Sequence, residues 1–392
     1  MDSAGRAIAS IFAVACACFA QPEPPTGTAP FEFDGNRMYA ELDFVRPDGS
    51  LHKALAFVDM GSASMELFEP LYRDLQLDHN QPLVFRAGDM TVRLPASEVT
   101  REHREPYPLG PHLKVEAMLP AGVLRKYVVV IDYNDRTLTL AQPGSIQPEG
   151  IPTPFRIHPK TGLIAIDTAI DGKHYATTID NGSAYTWFQQ STAKAWLGAH
   201  PDWERGVGAV GVSNMRMSDD GTEASGVLIR IPKIAAGPLD FEQIGVLALG
   251  RAKGSEQDFF DWYSKKNAVP VIGWLGGNVL KQFRLTIDYP NQTIYWLKQT
   301  DPDSNDMDQV GLTLMAKAGG YIVAGIAKKN GKPTVENIQP GDELLRIDNL
   351  ETKHAGWGAI YSALHGKPGE IRTLVVERAG RELTVQAKVT AF

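Results

Sequence analysis

Two short segments carry residues whose types and spacing can do chemistry. Val58-Asp59-Met60-Gly61-Ser62-Ala63 and Ile179-Asp180-Asn181-Gly182-Ser183-Ala184 each set a glycine next but one to an aspartate and follow it with a serine. The two lie at an offset of 121 residues. A carboxylate at a strand end needs glycine close by if the backbone is to turn sharply beside a partner. The hydroxyl of Ser62 or Ser183 can then hydrogen-bond the carboxylate. Two carboxylates held about 3 Å apart cannot both ionise, so they share one proton and titrate at separated values. Such a pair can take a proton from a bound water while protonating a carbonyl oxygen. Water is then the nucleophile, and the chemistry calls for neither metal nor cofactor.

An internal duplication is what would bring the two aspartates together. Residues 118–140 and 274–296 align without a gap at an offset of 156, with seven of 23 positions identical, including Ile-Asp-Tyr at 131–133 and 287–289. Each closes as strand, turn, strand. Upstream, residues 38–45 and 163–170 alternate apolar and polar residues before Asp-Gly turns, the pattern of a hairpin. Short helices are expected around Glu69–Leu77 and Gln189–Leu197. Each copy therefore runs hairpin, Asp-x-Gly-Ser turn, helix, strands and Ile-Asp-Tyr hairpin, and the second copy is longer by 35 residues (156 minus 121). Two copies of one β lobe can set equivalent turns side by side at a pseudo-twofold axis.

Residues 31–299 resemble the aspartic proteases, in particular a bacterial two-lobed, retropepsin-like type. The paired D-x-G-S motifs, Trp274-Leu275-Gly276 and the closing segment 283–297 carry the resemblance. It implies a mainly β fold with a pepsin-like pair of β-barrel lobes, 31–146 and 150–299. It also implies Asp59 and Asp180 as the catalytic pair, turns supported by Gly61, Ser62, Gly182 and Ser183, a β-hairpin flap, and peptide bonds as substrate. Where the family usually carries Thr or Ser after the aspartate, this chain has Met60 and Asn181. Ala117 and Pro120 stand opposite Gly273 and Gly276, and there is no Tyr-Gly flap signature around Arg86–Arg93. The alternative reading is therefore an inactive protease-fold protein that binds peptides or serves as an envelope scaffold.

Residues 300–308, TDPDSNDMD, read as an acidic, solvated linker. Residues 309–392 resemble a PDZ domain, a partly open β-barrel with helices. Gln339-Pro340-Gly341-Asp342 through Asp348, Gly366-Lys367-Pro368-Gly369 and the strand Thr373–Arg378 carry that resemblance. It implies a groove helix over 355–365 and a loop, Gly311-Leu312-Thr313-Leu314, holding a peptide or protein C-terminus.

The remaining features narrow the class. The chain has 392 residues, 22% of them charged, and a net charge of -7 with no basic stripe, which argues against nucleic acid as a partner. Both cysteines, Cys16 and Cys18, fall in residues 1–20, whose uncharged run Ala7–Ala20 suits a signal peptide or lipoprotein leader and is too short for a membrane span. Export to the periplasm or cell envelope is expected, with a lipid anchor at Cys16 as one form of it. Cysteine-based zinc sites and disulfide frameworks are excluded by that count. Gly206 to Gly211 fits GxGxxG but lacks the strand before it and the helix after it that a dinucleotide loop needs, and reads as a glycine-rich hairpin. Asp132 and Asp288 read as hairpin caps. The histidines show no metal-ligand spacing.

Overall fold

The computed structural model describes residues 24–78, 80–103, 107–108, 114–208, 226–249, 256–317 and 320–392. The expected leader, residues 1–20, lies outside them. The chain is mainly β, built as two lobes and a C-terminal module. No helix among the described residues is long and apolar enough to cross a membrane.

The duplication written in the sequence is repeated in the strand register. In the first lobe, Arg37–Val45 and Leu51–Asp59 form a hairpin. Leu51–Asp59 then runs parallel to Lys114–Pro120, with Val58 opposite Leu119. In the second lobe, Ile164–Ile170 and Lys173–Ile179 form the hairpin. Lys173–Ile179 runs parallel to Gly273–Leu275, with Ile179 opposite Leu275. The antiparallel neighbours match too, Glu66 with Met118 and Trp187 with Trp274. Alternating residues make these strands amphipathic, so the inward set (Met38, Ala40, Leu42 and Phe44 in the first hairpin) is buried in a core continuous through both lobes.

The Ile-Asp-Tyr hairpins join the lobes. Val128–Asp132 pairs antiparallel with Phe283–Asp288, Val128 opposite Asp288 and Ile131 opposite Leu285. Asp132 accepts from the amides of Asn134 and Asp135 at 3.1 Å each, and Asp288 from that of Asn291 at 3.1 Å, so both cap their turns.

The short helices fall at Glu69–Asp74 and Gln190–Ala199. The extra length of the second lobe includes a long hairpin, Val227–Ala236 with Leu239–Leu249, and the helix Glu256–Ser264. Gly206 and Val207 lie in the strand Arg205–Val207, which pairs with Val227–Ala236 on one side and with Lys328 on the other. The GxGxxG segment thus begins as a strand that bridges to the C-terminal module; its residues 209–211 lie outside the described residues.

The module has a sheet ordered Leu312–Lys317, Gly320–Ile326, Glu343–Ile347, Ile371–Arg378, Arg381–Lys388, with a helix at Trp357–Leu364. It shares a core with the second lobe, where Ala184, Tyr185, Leu228 and Leu247 pack with Met307, Val310, Trp357 and Phe392.

The stretch 300–308 corrects its sequence reading. Asp301 and Asp303 are exposed, but Asp306 and Asp308 are buried. Arg230, distant in sequence, pairs with both, its guanidinium 2.7 Å from Asp306 Oδ1 and 3.3 Å from Asp308 Oδ1. A run of aspartates reads as solvated only while no cation from elsewhere in the fold reaches it.

Candidate active site

Asp59 ends its strand and turns immediately. Its Oδ1 accepts from the Gly61 amide at 2.8 Å, and its carbonyl from the Ser62 amide at 3.3 Å. Asp180 repeats the arrangement, with Oδ1 accepting from Gly182 at 2.9 Å and Ser183 at 3.2 Å. A short helical turn supports each loop in the same way: the Ala121 amide donates to the Ser62 carbonyl at 3.0 Å, and the Gly277 amide to the Ser183 carbonyl at 2.8 Å. The two aspartates are brought together, the carboxyl of each lying against the glycine of the other's turn. Asp59 is half-buried and Asp180 is 9% exposed, as expected for a cleft floor.

The glycines make this approach possible. A Cβ on Gly182 would stand 2.6 Å from Asp59 Cγ, and one on Gly61 would stand 2.5 Å from Asp180 Cγ. Neither carboxyl can withdraw without losing its amide donors. We therefore expect Gly182→Ala to lower any turnover at the pair by about 100-fold, the scale of a 1 Å misplacement. The same substitution should destabilise the fold by about 1–3 kcal/mol through overpacking. A pH-controlled assay with a parallel urea titration reads both.

The carboxyl groups are electrostatically uncomfortable. Burial, then the charge of Asp180, pushes Asp59 well above the usual carboxylate range. Burial also raises Asp180, while its bond to Asp59, the amides of Gly182 and Ser183, and Arg37 act in the opposite direction. Burial and mutual proximity thus disfavour ionising both carboxyls at once.

Two supporting contacts differ from the expectation. The Ser183 hydroxyl donates to the Tyr185 carbonyl at 2.8 Å, so it serves the turn and not the carboxylate. The Gly182 and Ser183 amides serve Asp180 Oδ1 instead. Asn181 reaches across the lobes and accepts from the Met60 amide at 2.9 Å. Met60, 1% exposed, packs in the core, and Asn181 Nδ2 is buried without a partner. One strut thus spans the turns where a hydroxyl in each copy could make two. Pro120 cannot repeat the bond from the Gly276 amide to Thr186 Oγ1 at 3.2 Å. The parallel register of its strand is nevertheless kept, with Asp59 opposite Pro120.

Two residues near the pair were not anticipated. Arg37, 2% exposed, donates through Nε to the Gly182 carbonyl at 3.0 Å. Tyr263, from the helix Glu256–Ser264, places its hydroxyl 3.4 Å from the Gly61 carbonyl. Burial, then the charges of Asp180 and Asp59, hold that phenol well above its usual range. The helix lies against Ala121, Leu163 and Trp274 and presents Phe259 and Trp262, 40% and 51% exposed, to solvent. No repeat could reveal either residue, since each occurs in one copy only.

The expected flap is not formed by the hairpin Leu83–Ala87 with Met90–Leu94. Its tip packs on the first strand, where a Cβ on Gly88 would stand 2.8 Å from the Thr28 amide nitrogen.

Gly311 to Leu314, expected to hold a peptide carboxylate, are all buried. Leu312–Lys317 is a strand paired with Gly320–Ile326, and the Gly311 carbonyl accepts from the Ala327 amide at 2.8 Å. A carboxylate-holding loop needs open amides, and this segment is a covered strand. Among the described residues, no group of three or more His, Cys, Asp or Glu side chains is placed to hold a metal ion.

No protein-family model matches the chain, and no curated protein matches it. Solved structures similar to it include Basic 7S globulin from soybean, at 11% identity over 70% of this chain and 95% of that one, with a TM-score of 0.39. An aspartic proteinase from Irpex lacteus is similar at 12% identity over 70% and 97%, with a TM-score of 0.41.

Proposed function

We propose that the chain is a peptide hydrolase of the aspartic type. The observation that carries this reading is the close approach of the Asp59 and Asp180 carboxyls at two turns related by the internal repeat, each against the glycine of the other's turn. In the proposed step, one carboxylate takes a proton from water as its oxygen bonds to the scissile carbon. The other carboxyl gives its proton to the carbonyl oxygen. Collapse of the tetrahedral diol breaks the C–N bond: the carboxyl that took the water proton gives it to the leaving amine, and the carboxylate that gave its proton takes one back from a diol hydroxyl. Both protons are exchanged within the dyad, so no covalent enzyme intermediate is required.

The test is cleavage of denatured casein and a mixed peptide library across a series of buffers from acid to neutral pH. Inhibition by a statine-type analogue, whose hydroxyl-bearing carbon mimics the tetrahedral adduct, should accompany cleavage. Absence of cleavage across the range would overturn the reading. Met60, the single strut and Tyr263 over the Gly61 carbonyl favour a second reading, in which the cleft binds peptides without turnover. Peptide binding without cleavage by the wild-type chain would support it.

The C-terminal module is read as a PDZ-like unit whose first role is to support the second lobe. The shared core at Tyr185, Leu228 and Leu247 favours that role. Capture of peptide or protein C-termini by this module is tested by titrating the full chain with C-terminal peptides. For the leader, we propose export to the periplasm or envelope. Fractionation of cells expressing the full chain and its Cys16→Ser variant tests both export and lipid anchoring.

A further inference from the structure

The repeat makes the two aspartates equivalent in sequence, but their surroundings are not equivalent. The Gly182 carbonyl, in the turn of Asp180, receives a buried guanidinium, Arg37. Its counterpart, the Gly61 carbonyl in the turn of Asp59, meets the neutral hydroxyl of Tyr263. A second asymmetry points the same way. Glu66 stands near enough to Asp59 to act on it as a like charge, and the residue at the matching position of the second copy, 121 later, is Trp187. One carboxyl is therefore placed beside a cation and the other beside an anion.

We propose that Arg37 assigns the roles within the pair: it keeps Asp180 as the charged member, the base toward water, and leaves the shared proton on Asp59, the acid toward the carbonyl oxygen. This rests on the hydrolase reading for its chemical consequence, but the proton assignment itself stands on the geometry of the pair. Arg37 is a positioning residue here, since it acts through the Asp180 turn and not on the reacting atoms.

The guanidinium is held from several sides. Asp34, on the partner strand directly opposite Arg37, faces it within the turn between the first two strands. Tyr39 from its own strand and Tyr361 from the module's helix are the other titratable groups that feel its charge. Asp180 faces Arg37, Asp59 and Tyr263, and Asp59 faces Asp180, Glu66 and Tyr263. Asp34 in turn faces Glu32 and Tyr321, and its Oδ2 accepts from the Gly358 amide, at the start of the module's helix, at 3.0 Å. Asn36, beside Arg37, accepts from Lys281 Nζ at 3.0 Å. The C-terminal module thus anchors the turn that carries the cation, which ties it to the electrostatics of the pair. An opposite charge beside a carboxyl favours its ionised form, and Arg37 acts on Asp180 in that direction.

The experiment is a carboxyl-carbon NMR titration of the full chain with 13C-labelled aspartate, alongside the pH profile of casein cleavage. In wild type, the pair should titrate in two separated steps. Between the two steps the Asp180 carboxyl carbon should carry the ionised shift and that of Asp59 the protonated one, the two signals being assigned by their loss in Asp180→Asn and Asp59→Asn; the reverse pattern overturns the proposal. Arg37→Gln should raise the lower step, and with it the acid limb of kcat/KM, by about one unit or more. Arg37→Lys should keep the lower step near its wild-type position. A lower step unmoved in folded Arg37→Gln overturns the role of Arg37. If Arg37→Gln does not fold, the two aspartate variants still decide which carboxyl holds the proton. A chain that cleaves nothing but titrates as described would fail as a hydrolase while retaining this assignment.

Discussion

Asp59→Asn is expected to lower the rate of peptide cleavage by a factor of about 100 to 10,000, the usual contribution of a positioned acid or base. Asp180→Asn should do the same, and the double variant should lose little more, because the two act as one proton-sharing unit. The substitution is close to isosteric, and an amide oxygen can still accept from Gly61 or Gly182. Loss of activity would therefore report on chemistry and not on collapse of the turn. Stability should move the other way. Both carboxyls have folded-state pKa values above the ordinary carboxylate range. As pH rises past that ordinary range, the unfolded chain releases these protons while the folded chain still holds them, so the folded state loses stability up to the raised values. Asparagine removes that liability, and each variant should be at least as resistant to urea as wild type near neutral pH. Rates and unfolding midpoints measured on the same preparations check the pair of statements. Undiminished cleavage by a folded Asp59→Asn variant would remove Asp59 from the mechanism.

Much of this site was legible because it is written twice. The offsets of 121 and 156 residues predict not only that Asp59 matches Asp180 but also which strand positions face each other. Val58 with Leu119 and Ile179 with Leu275 realise both offsets in one contact. What the repeat could not carry is what breaks its symmetry. Arg37 begins a strand whose inward positions are otherwise apolar, and a lone charge there reads as a strand end until the second lobe supplies a carbonyl for it. Tyr263 belongs to a helix with no counterpart in the first lobe. A hydroxyl after the glycine is expected to serve the carboxylate, yet that of Ser183 goes to the Tyr185 carbonyl while the Gly182 and Ser183 amides meet Asp180 Oδ1. The acidic stretch at 300–308 was misread for a related reason. Local charge density predicts solvation, and only the fold reveals that one arginine is buried against its second half.

That arginine sets the second large effect. Arg230→Ala is expected to destabilise the protein by about 3–5 kcal/mol, because it leaves Asp306 and Asp308 buried without their cation. Their side chains are 4% and 3% exposed, and that of Arg230 is 10% exposed. Arg230 also donates to the Phe392 carbonyl at 2.9 Å and the Gln243 carbonyl at 3.0 Å. Asp306 is raised by burial even with Arg230 and Asn278 beside it. The network lies where the second lobe meets the module, so its loss should appear first as an early urea transition in which the module separates, before the lobes unfold. Limited proteolysis near residues 300–308 should follow that transition. A triple variant, Arg230→Met with Asp306→Asn and Asp308→Asn, separates charge from packing. It removes the buried charges together and should recover much of the lost stability, since a buried ion network is costly to break but contributes little over a neutral replacement. A loss below about 1 kcal/mol in Arg230→Ala would place these groups in the range of solvent-screened surface pairs. The consequence reaches the pair of aspartates: once the module separates, Gly358 no longer donates to Asp34, and the turn that holds Arg37 beside Asp180 loses its outer support.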